Sequence, residues 1–157
     1  MRHPAILAAG VAVFGTIVAA DVVAPSSVVF GDYGAVEMSL SGQPGDPVSG
    51  LAVMETKGSG NCVACHQIST SEAAFQGNVG PPLDGVGGRW STEELRGIVA
   101  NAKMVFPDSV MPSFYRVDGY TRPGDAFTGK AAAGELDPLL TAQQIEDVVA
   151  YLATLTD

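Results

Sequence analysis

Histidine and cysteine are nearly missing from this sequence, with two of each in 157 residues. That supply leaves no surplus for a four-ligand zinc site. Basic residues are also scarce, eight Lys and Arg against seventeen Asp and Glu for a net charge of −9. Nucleic acid and anionic lipid both reward clustered cations, so neither is an expected partner. The acidic surface suits solubility or a basic protein partner. No strong strand pattern and no internal repeat is present. With 46% hydrophobic and 16% charged residues the chain is globular rather than disordered, and its length suits one domain. Nineteen glycines and ten prolines predict helices separated by shaped loops more readily than a long continuous sheet, and with no strong strand the expected class is all-α.

What is there begins with the one long uncharged run, "MRHPAILAAGVAVFGTIVAA". Arg2 near the start, an apolar stretch and small residues before Asp21 have the layout of a secretory signal over residues 1–20. The competing reading, a membrane anchor, is weakened because glycines interrupt a stretch that falls short of the ~20 apolar residues a spanning helix needs. Cleavage would remove His3 and leave His66 as the sole histidine. No membrane association is expected after cleavage.

Residues 21–45 lack periodicity and predict extended segments and turns, an N-terminal extension able to contact a partner. Asp46 followed by Pro47 is a helix start, a carboxylate cap before a residue whose missing N–H costs nothing there. A short helix is expected over 47–57, with a second carrying Cys62 to Gln67. "NVGPPLDGVGGRW" predicts loop. "STEE" at Ser91–Glu94 is a capping box, and Leu95, Ile98, Val99 and Ala102 form the apolar face of the helix it starts. "TAQQ" at Thr141–Gln144 repeats that logic before Ile145, Val148, Val149, Leu152 and Leu155. Between these helices lies a long Pro-, Gly- and aromatic-rich connection of the kind that is usually functional or disordered.

Three chemistries suit Cys62-x-x-Cys65. A thioredoxin-type pair needs alternating strands and helices around it. A structural zinc site needs a fourth ligand, and His66 directly beside Cys65 is poorly placed to share its tetrahedron. Cys-x-x-Cys-His as a covalent haem attachment site needs nothing more: two sulfurs for thioethers and an adjacent imidazole for the iron. Export agrees with it and implies a bacterial periplasm. One covalently bound haem c is therefore the expected cofactor.

With His66 used, methionine is the leading candidate for the sixth iron ligand, because its thioether suits iron and raises the potential. Met54 is too close to the attachment site and Met38 lies in the extension. Met104 sits at a frayed helix end, whereas Met111 precedes Pro112, which can hold the backbone that presents the sulfur. Met111 is the expected ligand and Met104 the alternative.

"CVACH", "GPPLDGVGGR", "MPSF" and the terminal helix ending "VVAYLATL" together resemble the class I cytochromes c over roughly Pro47–Leu155. The resemblance implies that the Pro81 carbonyl accepts the second N–H of His66, and that Arg89 and Trp90 contribute to the haem environment, Arg89 by meeting a propionate. "SGQPGDP", "MVFPDSVMPSFYRVDGY" and "LTAQQIEDVVAYLATL" are similar to the SoxX subunits of the sulfur-oxidising SoxAX cytochromes. That likeness implies a heterodimer with a SoxA-type haem subunit acting on thiosulfate and a cysteine of the SoxYZ carrier. The released electrons would pass through this chain to a small cytochrome c or other acceptor. A longer stretch around "GKAAAGELDPLL" departs from the pattern.

The residues agree with that division of labour. With both cysteines spent on thioethers, no thiol remains for a sulfur-bearing intermediate, and no histidine remains as a general base. No catalytic residue is expected in this chain; the catalytic site is expected on the partner. The alternatives are a free-standing diffusible periplasmic carrier, which rarely needs so much material outside the haem domain (residues 46–157), and a haem sensor. Val29, Phe30, Tyr33, Phe114, Tyr115 and Tyr120 are the candidate interface aromatics and aliphatics.

Overall fold

Two capping boxes and an Asp–Pro start set the three main helices. A computed structural model describes residues 21–124 and 129–157; the expected signal segment lies outside the described residues. Helix α1 spans Pro47–Glu55, with Asp46 accepting from the Val48 N–H. The four-residue α2 spans Val86–Arg89. Helix α3 spans Thr92–Asn101 and α4 spans Ala142–Leu152, and both start with complete capping boxes, Ser91 with Glu94 and Thr141 with Gln144. Short 3-10 turns follow α3 at Ala102–Met104 and form the attachment segment at Cys62–Ala64. Among the described residues the only β pairing is an isolated bridge between Gly124 and Ala131.

Helix α4 is the centre of the packing. Every apolar residue expected on its face is buried, Ile145, Val148, Val149 and Leu152, with Leu155 buried just past the helix end, and so are Glu146, Asp147 and Tyr151. Helix α1 crosses it at Gly50, where a Cβ would lie 2.0 Å from the Asp147 carbonyl oxygen. Only glycine permits that approach. Asp147 fixes the crossing from the other side by accepting from the Asp46 N–H at 2.9 Å. Helix α3 buries Leu95, Val99 and Ala100 against the same core, while Ile98 is only half-buried.

The extension packs back onto this body. Val36 and Leu40 are buried, the Val36 N–H donates to the Glu93 carbonyl at 2.9 Å, and a Cβ at Gly97 of α3 would meet the Gly34 carbonyl oxygen at 1.9 Å. Arg96 of α3 and Glu146 of α4 form a buried ion pair at 2.9 Å, with side chains 7% and 6% exposed. Each also reaches the extension: Arg96 Nη1 donates to the Val36 carbonyl at 2.7 Å, and Glu146 Oε1 accepts from the Leu40 N–H at 2.7 Å. One salt bridge thus ties three segments distant in sequence.

Several local expectations differ. The segment read as loop before Trp90 contains α2, because Gly85 takes a left-handed φ of 71° to start it and Gly87 lets it lie on the end of α4. A Cβ at Gly87 would be 2.6 Å from the Ala153 carbonyl oxygen. The helix expected to carry Cys62 to Gln67 is only the 3-10 turn, entered through Asn61 in the left-handed region at φ 48°. Phe114 and Tyr115 are core residues, the Tyr115 hydroxyl donating to the Val23 carbonyl at 2.7 Å, and Phe30 is half-buried against the core. Val29, Tyr33 and Tyr120 are exposed.

Candidate haem site

The attachment turn and the Gly-Pro loop are stitched together backbone to backbone. The Gly77 N–H donates to the Val63 carbonyl at 2.8 Å, Gly80 to Cys65 at 2.8 Å and Leu83 to Gln67 at 2.9 Å. Gly77 and Gly80 allow this closeness. A Cβ on Gly77 would stand 2.0 Å from the Ala64 carbonyl oxygen, and one on Gly80 would stand 2.3 Å from Cε1 of His66. Side chains complete the seam, with Gln76 Oε1 accepting from the Ile68 N–H at 2.6 Å and Asp84 Oδ1 accepting from the Ser69 hydroxyl at 2.8 Å. The Ser69 N–H and hydroxyl hold the exposed Asp84 carboxyl below its ordinary value, with a smaller contribution from the charge of Arg89.

That seam orients the histidine. His66 Nδ1 lies 2.7 Å from the carbonyl oxygen of Pro81. A carbonyl can only accept, so Nδ1 carries the proton and the Nε2 lone pair is left for a metal. Pro81 and Pro82 both have φ fixed by their rings, which makes this acceptor rigid. Such a contact fixes the tautomer of a ligating imidazole and raises its basicity.

Cys62 and Cys65 both precede the histidine, and neither is in a disulfide. Both are half-buried. Burial pushes the Cys62 thiol up to about 11. Among the described residues no three His, Cys, Asp or Glu side chains gather where they could hold a metal ion.

Residues 49–156 match the Cytochrome c family. The chain belongs to that family. A solved chain from the crystal structure of SoxXA from P. pantotrophus is 58% identical to this cytochrome, with a TM-score of 0.82 over 85% of this chain and 98% of the matched one. No curated protein sequence matches it. The cofactor of the cytochrome is one covalently bound haem c.

The donors present fit that group. Two sulfurs and an imidazole with its Nε2 free occupy one turn, as two thioethers and one axial bond require. Among the methionines of the described residues, Met54 is in the core, Met38 is largely exposed and Met104 is 50% exposed. Met111 is half-buried and packs against the core from the loop before Pro112. Arg89 is exposed and donates from Nη1 to the Asp84 carbonyl at 2.8 Å, so one arm of its guanidinium braces the loop below His66. Trp90 is half-buried, edge-on to Phe106 with ring centroids 6.0 Å apart.

Sequence reasoning missed the residues that hold the Met111 loop. Ser113 Oγ donates to Asn101 Oδ1 at 2.7 Å, and Lys103 Nζ donates to the carbonyl of Met111 itself. Nothing in their spacing marks them. Among the described residues no helix is long and apolar enough to cross a membrane.

Proposed function

We propose that this cytochrome is the SoxX-type electron-transfer subunit of a periplasmic SoxXA complex, paired with a SoxA-type haem subunit. The observation that carries the reading is the 58% identity that spans 98% of a chain from a SoxXA crystal structure. A likeness that close over a whole subunit favours a complex member over a free-standing carrier. The partner would perform the oxidative coupling of thiosulfate to a carrier cysteine of SoxYZ, and the acceptor beyond would be a small cytochrome c or an equivalent carrier. The exposed residues of the 21–45 extension, Val29 and Tyr33 among them, are the surface offered to the partner.

Bound haem c supplies a one-electron couple. Cys62 and Cys65 would tether it through thioethers, and His66, aligned by the Pro81 carbonyl, would supply Nε2 to the iron. Met111 is the sixth ligand in this reading, supported by its half-buried place against the core beside an exposed Met104. With His66 and Met111 both given to the iron and both cysteines to thioethers, no side chain of this set would be left for thiosulfate, and the chain's role would be electron exchange. Arg89 and Trp90 serve the haem surroundings, Arg89 through the donors it does not give to Asp84.

Purification from periplasm without denaturant tests the subunit reading. Co-purification with a larger haem protein is expected, and a lone monomer indifferent to thiosulfate would sink it. For the ligand, Met111→Ala should abolish the thioether-to-iron band at ~695 nm while Met104→Ala retains it. The opposite pair of spectra transfers the role to Met104.

A further inference from the structure

The loop that carries Met111 is fastened at several points, to Leu140 through the Phe114 carbonyl, to Val23 through the Tyr115 hydroxyl, and to the C-terminal end of α3. The Tyr115 N–H donates to the Ala100 carbonyl at 3.0 Å, and the Ser113 hydroxyl donates to Asn101 Oδ1 at 2.7 Å. Within the loop the Met111 N–H donates to Ser109 Oγ at 3.2 Å. One contact differs in kind. Lys103, in the turn after α3, donates its ammonium hydrogen bond to the carbonyl oxygen of Met111.

Sequence and local geometry explain why a side chain does this. Pro112 has no N–H and keeps Met111 out of the helical region, so no regular backbone ladder continues through this point. The chain leaves α3 through Asn101, whose backbone is non-helical at φ −156° and ψ 88°, before the Ala102–Met104 turn begins. Lys103 is half-buried on that turn, and Met104 beside it is exposed. A hydrogen bond from a charged donor is about twice as strong as a neutral one. Meanwhile α3 takes its packing from Leu95, Val99 and Ala100, which do not include Lys103.

We infer that Lys103 is a positioning residue for the sixth ligand. Its ammonium fixes the backbone from which the Met111 thioether projects, and it thereby makes Met111 hard to displace by another ligand. This rests on the reading of Met111 as the axial residue. It adds a function to Lys103 that neither the attachment motif nor the Met-Pro dipeptide implies.

The test uses the purified haem-loaded ferric protein, titrated with imidazole at fixed pH and salt and followed by visible absorbance. Lys103→Met is expected to bind imidazole at least ~10-fold more tightly than wild type, with a weaker ~695 nm band before any imidazole is added. Lys103→Arg keeps a cationic donor and should return the affinity to within ~3-fold of wild type. Ser113→Ala, which loosens the same loop without touching Met111, should shift imidazole binding in the same direction by less. Imidazole affinity in Lys103→Met within ~2-fold of wild type overturns the inference, even if the melting temperature falls, because that is a structural tie alone. Equal perturbation by the Arg and Met variants also overturns it. Should Lys103→Met fail to load haem, Lys103→Arg and Ser113→Ala decide: Ser113→Ala unchanged beside wild type counts against the clamp. Failure of the underlying reading looks different, because Met111→Ala would then retain the ~695 nm band.

Discussion

Removing Arg96 should damage this cytochrome more than any surface change, and the structure says by how much. Arg96 Nε lies 2.9 Å and 3.1 Å from the two carboxylate oxygens of Glu146, and its Nη1 lies 2.7 Å from the Val36 carbonyl. Arg96→Met keeps a long apolar stem of similar reach and deletes all three bonds. Glu146 is then left as a buried charge with the Leu40 N–H as its surviving partner in the network. Breaking one side of a buried pair in this way costs ~3–5 kcal/mol. At about 2–4 °C per kcal/mol for a chain of this size, the melting temperature falls by about 6–20 °C.

The assay is guanidinium and thermal unfolding of the haem-loaded protein, wild type beside Arg96→Met, Glu146→Gln and the double variant. The glutamine retains an acceptor for the Leu40 N–H and carries no charge, so the double variant should recover roughly half of the Arg96→Met loss. A loss below ~1 kcal/mol in Arg96→Met would mean that the pair behaves like an exposed one. A double variant no more stable than Arg96→Met would refute the claim that the stranded carboxylate, rather than lost packing, carries the cost.

The remaining predictions concern the site and the acid limb. Gly80→Ala sets a Cβ 2.3 Å from the His66 ring, and the Gly80 N–H bond to Cys65 at 2.8 Å prevents the loop from backing away. It should cost ~1–3 kcal/mol and perturb the visible spectrum, and an unaltered spectrum and melting temperature would show that the loop yields. The Asp46 carboxyl is held below its ordinary value of 3.8 first by the Ser49 hydroxyl and then by the Val48 N–H. Its folded value is depressed, so its contribution is complete above pH 3.8 and fades as pH falls through the lower folded value. Asp46→Asn keeps the cap acceptor, so the stability gap between wild type and variant should narrow on acidification below pH 3.8, measured by unfolding at stepped pH. A gap independent of pH in that window would contradict the assignment.

How much of this was readable beforehand depends on whether a residue's role is set by its neighbours in sequence. The caps at Ser91 and Thr141 act on N–H groups three residues away, so their partners stand beside them in the chain. The Cys-x-x-Cys-His turn is legible for the same reason, and its expectation of haem c needed no tertiary knowledge. The Pro81 contact came from family likeness, because no spacing rule joins residues fifteen apart in loop. Arg96 and Glu146 are separated by 50 positions, and each lies within an amphipathic helix where a charge ordinarily faces water. Their burial follows from the extension, which covers that face by inserting Val36 and Leu40 beside them. The aromatic residues of the "MPSFY" segment failed as interface candidates by the same logic. Phe114 and Tyr115 follow Ser113, which is tied to Asn101, and both rings are buried. On the proposed role of Met111 its loop needs a packed base, and in this chain the residues that look sticky in the sequence form that base.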